Sequence, residues 1–179
     1  DYDGIVLGAD LAKQLGVKMM CVVAGNDIKG VSQEAMHDAV IAGLKRVAPI
    51  AADNDIILVL EPMNIRVDHK GHCLYGSPKA VKICREVNSP MVKINWDLYH
   101  MQIAEGDLCG RLKEGFDQCG YLQLADHPGR NEPGTGRLDI EGHLRHIAAT
   151  GYDGWVGLEY KPSGASAESG MSSSVGLSP

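Results

Sequence analysis

The chain has 179 residues, of which 44% are hydrophobic and 22% are charged, and this is the composition of an ordinary globular domain. Its formal net charge is −6, which argues against nucleic-acid binding, because such surfaces normally carry a basic excess. No apolar run approaches the roughly 20 residues of a membrane-spanning helix, so we expect no membrane association. The five cysteines show no zinc-ligand spacing, and we expect reduced thiols in a cytoplasmic protein.

Helices and strands alternate from the start of the chain. A helical pattern over 4–16 precedes an apolar run, 17–25, that predicts a strand ending in glycine. Apolar residues recur at helical spacing over 32–53. The next predicted strand, 56–61, is the apolar run "IILVLE", which ends on Glu61 because the following proline cannot continue a ladder.

The second half of the chain continues this alternation. Ser77 and Pro78 predict the N-cap and the first position of a helix. The remaining elements are a helix over 77–87, a strand over 91–97, a helical region over 98–119, a strand over 121–126, a helix over 139–151 and a strand over 154–160. Five strands that alternate with helices indicate βαβ units and an α/β fold with a parallel sheet.

The last residues have a different composition. The segment 163–179, "SGASAESGMSSSVGLSP", is of low complexity and carries few large apolar residues. Such a segment cannot bury enough apolar surface to offset its conformational entropy. We therefore predict a folded domain over 1–162 and a disordered tail over 163–179.

Polar side chains stand where the predicted strands end. Four successive strands end on acid or amide groups: Glu61, Asp97, Gln123 and Glu159. A lone strand-end acid is more often a satisfied cap or salt-bridge partner than a functional group. Four in succession would repel one another at the same edge of a sheet, and a divalent cation would relieve that repulsion. We therefore predict a cation site at the carboxyl ends of the strands.

Other polar residues near these ends have simpler explanations beside a functional one. Arg130 fits a loop cation as well as a binding group, and Lys161 fits an anchor of the strand end. His69 lies in a polar loop, where a solvated side chain is expected. His143 and His146 lie three residues apart on a predicted helix, where we expect structural roles.

Several motifs resemble the xylose-isomerase-like TIM-barrel superfamily of sugar isomerases and epimerases. In chain order they are "LEPMN", "NWDLYHMQ", "YLQLAD" followed by "HPGRNEPGTG", and "GWVGLEYKP". The ending "LEYKP" and the Arg-x-Glu-Pro-Gly loop are most similar to the hydroxypyruvate isomerase family. The resemblance implies a (β/α)8 TIM barrel, whereas only the last five β/α units are found here, so 1–162 is a partial barrel. Either the sequence is a piece of a longer protein, or partner chains, including copies of itself, complete the barrel.

The resemblance also implies a metal site. Its ligands would be Glu61, Asp97, Gln123 and Glu159, with Glu61 and Glu159 as the catalytic pair. His127 lies close to Gln123 in sequence and is the alternative third ligand. Such an oxygen-rich set suits magnesium or manganese better than zinc, which favours sulfur and nitrogen.

The implied reaction interconverts hydroxypyruvate and tartronate semialdehyde through an enediolate. One glutamate would remove a proton from the hydroxyl-bearing carbon, and a proton would be delivered to the neighbouring carbon. The substrate carries a carboxylate, so groups that can bind an anion are needed. The candidates are His100, Arg130, Lys161, His69 and His127.

Alternative functions use the same scaffold. A ketose 3-epimerase or an inosose dehydratase would share these sequence features, so only substrate profiling separates them. A metal-dependent endonuclease that acts at abasic sites would need more histidine ligands and a basic groove, and the net charge of −6 argues against it. A non-catalytic barrel fragment is the fourth possibility, because three of the eight barrel strands are not found.

Overall fold

The structure is a computed structural model that describes residues 2–164. Five parallel strands form one sheet in the order β1-β2-β3-β4-β5. The strands are β1 (Met19–Val22), β2 (Ile57–Leu60), β3 (Val92–Asp97), β4 (Cys119–Leu124) and β5 (Val156–Leu158). The helices are α1 (Tyr2–Leu15), α2 (Gln33–Asp53), α3 (Ser77–Val87), α4 (Leu98–Ala104), α5 (Leu108–Gly115) and α6 (Ile140–Ala149), and a 3-10 turn spans Phe116–Gln118. Parallel strands that pair in chain order confirm the predicted partial TIM barrel, of which this sheet is about half.

The two faces of the sheet have opposite characters because side chains alternate along each strand. One face packs against the helices, and its buried residues include Leu58, Leu60, Ile94, Trp96, Leu122 and Leu124. The other face, which is the inside of the half-barrel, carries the polar residues. Cross-strand contacts on this face run from the Cys21 thiol to Asn95 and from Asn95 to Gln123. The apolar face stabilises the fold, and the polar face carries the side chains that could bind a ligand.

A glycine in β5 shows how closely the inner face is filled. A Cβ atom added to Gly157 would overlap the hydroxyl oxygen of Tyr121. Tyr121 lies on β4 and therefore places its ring directly across β5. Only glycine leaves room for that ring.

The predicted start of α3 is wrong by one residue. The N-cap of α3 is Gly76, not Ser77, which is the first residue of the helix. Ser77 instead donates from its backbone nitrogen and its hydroxyl to the carboxylate of Glu105. The helical region predicted over 98–119 consists of α4, α5 and the 3-10 turn, and it is interrupted after α4 because Gly106 has a φ of 65° and Asp107 caps a new helix.

The edges of the sheet are open within residues 2–164. β1 pairs only with β2, and β5 pairs only with β4. Leu7, Leu11 and Leu15 recur every fourth residue along α1 and are exposed. Within the same range, none of the helices is both long enough and apolar enough to span a membrane. Apart from Ser163 and Gly164, the tail predicted to be disordered lies outside the described residues.

The loop after β4 is organised by the fully buried Asp126. Its Oδ1 accepts hydrogen bonds from the backbone nitrogens of His127 and Leu138, at 2.8 and 3.1 Å. Its Oδ2 accepts from the backbone nitrogen of Gly134 at 2.8 Å. Burial opposes ionisation, but these backbone donors outweigh it and lower the pKa of Asp126 below its usual 3.8. Asp126 is therefore a structural acid that holds the loop closed.

The same loop is tied to the segment that leaves β5. The Lys161 nitrogen donates to the Arg130 carbonyl oxygen at 2.7 Å, and the Asn131 side-chain amide donates to the Lys161 carbonyl oxygen at 2.7 Å. The Ser163 nitrogen donates to the buried carboxylate of Glu132 at 2.9 Å. The loop after β4 and the exit from β5 are thus fastened at successive residues.

We expect Asp126→Asn to lower the free energy of unfolding by about 1–3 kcal/mol at pH 7, because an amide offers one acceptor oxygen where the carboxylate offers two. Urea denaturation measures this loss. The difference from the wild-type chain should shrink below pH 3.8, since a carboxylate with a lowered pKa loses its stabilisation as it becomes protonated.

The matched control is Asp38→Asn, at an exposed position on α2, where the change should stay within about 0.5 kcal/mol. An Asp126→Asn chain as stable as this control at pH 7 would contradict the role assigned to Asp126.

Candidate active site

Glu61 and Asp97 lie side by side at the carboxyl edge of the sheet. The Glu61 nitrogen donates to the Val22 carbonyl oxygen at 3.0 Å, which extends the pairing of β1 with β2 by one residue. The Glu61 side chain is buried, and Asp97, the last residue of β3, is 0% exposed. Asp97 Oδ1 also caps α4 by accepting from the His100 nitrogen at 3.1 Å. The strand-to-helix turn thus fixes one acid beside the other.

Burial makes the ionised form of these two carboxylates less favourable. Burial raises the pKa of Asp97 to about 7, although the neighbouring Arg130 acts in the opposite direction. Burial also raises the pKa of Glu61, and the charge of Glu159 adds to this effect. A raised pKa means that the ionised acids are not fully compensated by the groups around them. Additional positive charge would therefore be favourable here, and a divalent cation fits the site.

The thiol of Cys21 on β1 forms a hydrogen bond with Glu61. Cys21 is exposed as a residue, but the desolvation of its sulfur, followed by the charge of Glu61, raises the pKa of the group to about 12, so it stays a thiol. Its Sγ donates to Glu61 Oε2 across 3.3 Å. Sequence reasoning did not assign Cys21 to the site, because a cysteine in an apolar strand is usually a packing residue.

Gln123 and Glu159 complete the predicted ligand set on β4 and beyond β5. Gln123 faces Asp97 in the β3–β4 register, and its Oε1 accepts from the Asn95 side-chain amide at 2.7 Å. Glu159 follows β5, and its nitrogen donates to the Leu124 carbonyl oxygen at 3.0 Å. The Glu159 side chain is 54% exposed, in contrast to Glu61. The site thus has a buried side and a solvent side.

Arg130 is the cation among these acids. Its backbone has a φ of 55°, and its guanidinium lies over the ring of Tyr99, 4.9 Å from the centroid. Its Nη2 lies 3.2 Å from Asp97 Oδ2 and 3.0 Å from Glu159 Oε2. Arg130 therefore bridges two of the predicted ligands, whereas sequence reasoning left open whether it is a loop cation or a binding group.

His100 lies between the acids and Arg130. Burial, followed by the charge of Arg130, lowers the pKa of His100 to about 3, so the ring is neutral. Its Nε2 lies 3.6 Å from Glu61 Oε1 and 3.9 Å from Asp97 Oδ2. Glu61, Asp97 and His100 present potential ligand atoms within 4.8 Å of one another, an arrangement that could hold a metal ion.

The other predicted binding residues lie farther out. His69 is exposed, and its ring centroid lies 5.2 Å from that of His100. The His127 ring lies 5.9 Å from the Tyr99 ring, and its Nδ1 is buried without a hydrogen-bond partner in the described part of the chain. Lys161 is exposed and is fastened to Arg130 through its backbone. These three residues surround the acids without joining them.

A hydrogen-bonded group behind His100 was missed by sequence reasoning. The Asn64 amide donates to His100 Nδ1 and to Asp68 Oδ2, each at 2.8 Å. The Tyr99 hydroxyl donates to Asp68 Oδ2 at 2.8 Å. Asn64 is the last residue of the motif "LEPMN", but the sequence gives no sign that the loop after β2 reaches back to a residue of α4.

Comparison with known proteins places the chain in a family. The family described as "Xylose isomerase-like TIM barrel" matches residues 2–175. Hydroxypyruvate isomerase of Escherichia coli is 37% identical over 160 residues, which cover 89% of this chain and 62% of that protein. The 2-oxo-tetronate isomerase of Cupriavidus necator is 33% identical over 163 residues, which cover 90% and 62%. The chain thus spans about three fifths of the length of these curated relatives.

Solved structures agree with this placement. A protein described as an AP endonuclease of family 2, from Brucella melitensis, superposes with a TM-score of 0.90 at 29% identity, covering 99% of this chain and 67% of that one. A 3-keto-D-glucoside 4-epimerase of Escherichia coli superposes with a TM-score of 0.86 at 24% identity, covering 97% and 68%, and supports the fold alone. The chain belongs to the xylose isomerase-like TIM barrel family.

Proposed function

We propose that this chain carries the metal site and the proton-transfer groups of an isomerase that interconverts hydroxypyruvate and tartronate semialdehyde (2-hydroxy-3-oxopropanoate). The observation that carries the proposal is the pair of buried acids, Glu61 and Asp97, at the carboxyl edge of a half-barrel. The 37% identity to a hydroxypyruvate isomerase supports the choice of reaction. The partner is a small keto acid, and the acidic net charge of −6 argues against nucleic acid.

The proposed cation is magnesium or manganese, held by Glu61, Asp97, Gln123 and Glu159. These residues offer carboxylate and amide oxygens, which suit hard divalent ions. When bound, the ion would supply Lewis-acid stabilisation of the negative charge that develops on the substrate oxygens. The raised pKa values of Glu61 and Asp97, caused mainly by burial, support the need for that positive charge.

The proton transfer is assigned to the two glutamates. One of them removes a proton from the hydroxyl-bearing carbon of hydroxypyruvate, and the other delivers a proton to the neighbouring carbon. The hydroxyl hydrogen moves from the oxygen of the first carbon to that of the second, so the alcohol becomes the aldehyde, the ketone becomes the alcohol, and the intermediate is an enediolate. Burial raises the pKa of Glu61 above its usual 4.5, and this makes its carboxylate a stronger base than that of an exposed glutamate. Glu159 is half exposed and can exchange its proton with solvent.

Anion binding is assigned to Arg130 and His100 beside the acids and to the exposed Lys161 and His69. The guanidinium of Arg130 matches a carboxylate with two parallel hydrogen bonds, and it already lies 3.0 Å from the carboxylate of Glu159. A substrate carboxylate would compete for the same donors. His100 offers a neutral ring to the substrate oxygens, and Lys161 and His69 lie at the entrance, where they are exposed.

A second candidate substrate is a longer keto acid. The chain is 33% identical to a 2-oxo-tetronate isomerase, and the two reactions would use the same proton transfer. A ketose 3-epimerase or inosose dehydratase would also use the metal and the two glutamates. Competition between hydroxypyruvate, 2-oxo-tetronate and ketoses for one preparation of the chain distinguishes these candidates.

We expect the 179-residue chain to bind one Mn²⁺ ion in calorimetry after metal removal. Asp97→Asn and Glu159→Gln should each weaken binding by about tenfold or more, since even the loss of an outer-shell partner costs about 10–100-fold. The matched control is Glu86→Gln, an acid on α3 that pairs only at the surface with Lys82. Equal affinity in all four proteins would contradict the ligand assignment.

The same titration decides the third ligand. Gln123→Ala should weaken Mn²⁺ binding, because Gln123 faces Asp97 across the β3–β4 pair. His127→Ala should leave the affinity unchanged, because the His127 ring lies against Tyr99. The reverse result would transfer the ligand role to His127.

We expect the chain with Mn²⁺ to isomerise hydroxypyruvate in deuterated water and to place deuterium on carbon in the product. Glu61→Gln and Glu159→Gln should each lower turnover by about 10²–10⁴-fold, the usual contribution of a positioned acid or base. Glu86→Gln again serves as the control. A wild-type chain that binds Mn²⁺ but shows no turnover would favour the non-catalytic half-barrel instead.

A further inference from the structure

We propose that Asn64 is a positioning residue that fixes the ring tautomer of His100, so that Nδ1 accepts a hydrogen bond and Nε2 carries the hydrogen. His100 then faces the acids as a hydrogen-bond donor and not as a metal ligand. The inference deepens the proposed function and rests on it for the identity of the substrate. The tautomer itself follows from the hydrogen bonds around Asn64.

Hydrogen bonds to both the oxygen and the nitrogen of the Asn64 amide fix its orientation. Asn64 is fully buried. Its Oδ1 accepts from the backbone nitrogens of Val67 and Asp68, at 3.0 and 3.2 Å. Its Nδ2 donates to Asp68 Oδ2 at 2.8 Å. A flipped amide would set its nitrogen against two N–H donors and its oxygen against a carboxylate, so three contacts would become repulsive.

The second hydrogen of the Asn64 amide points at His100. Nδ2 lies 2.8 Å from His100 Nδ1, and because Nδ2 can only donate, Nδ1 must present its lone pair. A neutral imidazole carries one hydrogen, which must then be on Nε2. This is also the nitrogen that lies 3.6 Å from Glu61 Oε1 and 3.9 Å from Asp97 Oδ2.

A protonated Nε2 cannot ligate a metal, since a histidine ligand needs its lone pair. The three-residue cluster of Glu61, Asp97 and His100 therefore contributes two ligands and one donor. The distances from Nε2 to the two acids exceed those of a direct hydrogen bond. A substrate oxygen placed among the three groups would receive the Nε2 hydrogen.

Arg130 competes for the same nitrogen. Its Nη1 lies 2.8 Å from His100 Nε2, so the ring faces a donor on each side and one contact must yield. Asn64 cannot flip its amide to relieve the conflict, because the flip would make its contacts with the Val67 and Asp68 nitrogens and with the Asp68 carboxylate repulsive. Arg130 keeps its contacts with two carboxylates, Asp97 and Glu159, through Nη2 even if its Nη1 leaves the ring. The contact that yields is therefore the one from Arg130.

Asp68 and Tyr99 fix the position of the Asn64 amide through hydrogen bonds. Asp68 Oδ2 accepts from both the Asn64 amide and the Tyr99 hydroxyl. These two donors outweigh the burial of the carboxylate and lower the pKa of Asp68, so the group stays an acceptor at neutral pH. Asn64 is thus locked by a charged neighbour and by two backbone donors at once.

The test is a long-range ¹H–¹⁵N correlation spectrum of the full chain with ¹⁵N-labelled histidine, which distinguishes a protonated ring nitrogen from a bare one. The His100 signal is assigned by its loss in His100→Gln. We expect the hydrogen on Nε2 in the wild-type chain. Asn64→Asp should move it to Nδ1, because a carboxylate can only accept, and should lower isomerase turnover about 10–100-fold.

Two further variants keep the test independent of folding. Asn64→Asp with Asp68→Asn restores a neutral partner beside the new carboxylate and should show the same move to Nδ1. Tyr99→Phe leaves all four Asn64 hydrogen bonds in place and should keep the hydrogen on Nε2. A wild-type ring protonated on Nδ1, or a ring that does not change in either Asn64→Asp chain, would overturn the inference.

The test of the His100 tautomer and the test of isomerase turnover can fail independently. Hydrogen on Nε2 in a chain without turnover would uphold the tautomer and refute the isomerase. Turnover with hydrogen on Nδ1 would uphold the isomerase and refute the role of Asn64.

Discussion

The molecule is organised around two carboxylates, Glu61 and Asp97, that are buried next to each other at one edge of a parallel sheet. Burying one ionised acid is costly, and burying two together adds their repulsion. Each nearby element provides a partner that reduces this cost. The end of β1 contributes the Cys21 thiol, the start of α4 contributes the His100 nitrogen, and the loop after β4 contributes the Arg130 guanidinium.

The two faces of the sheet separate stability from chemistry. The face toward the helices is a continuous apolar core that includes the fully buried Trp96 on β3. Its neighbours in the same strand, Asn95 and Asp97, point to the inner face. Because stability resides on one face, the other can hold groups that destabilise the fold. Asp97 lies where that face meets the carboxyl ends of the strands, which is the usual location of functional groups in α/β barrels.

The strand pattern could be predicted from the sequence because apolar runs of four to six residues, separated by helical periodicity, leave little choice of fold. The placement of Glu61, Asp97, Gln123 and Glu159 at one edge followed from the same pattern, since parallel strands end together. Contacts between loops could not be predicted in this way. The Asn64–His100 bond joins residues 36 positions apart, and no periodic signal marks it.

Partners from distant segments account for what the sequence did not show. Ser77 has the residue type of an N-cap, but its hydroxyl is taken by Glu105, which lies 28 residues away. Arg130 fitted a loop cation as well as a binding group, and neither interpretation identified Asp97 and Glu159 as its partners. In both cases a charged partner from a distant segment determines the contact, and a single sequence does not reveal such partners.

The attachment of the Arg130 loop to the exit from β5 bears on how freely that loop can change in length. β5 is only three residues long. Hydrogen bonds between residues 130–132 and residues 161–163 add to the pairing of β5 with β4. Surface loops generally tolerate insertions because little depends on their backbone. One extra residue between Arg130 and Glu132 would shift these bonds out of register, loosen the strand and displace Glu159. This loop is therefore expected to be as intolerant of insertion as a core strand.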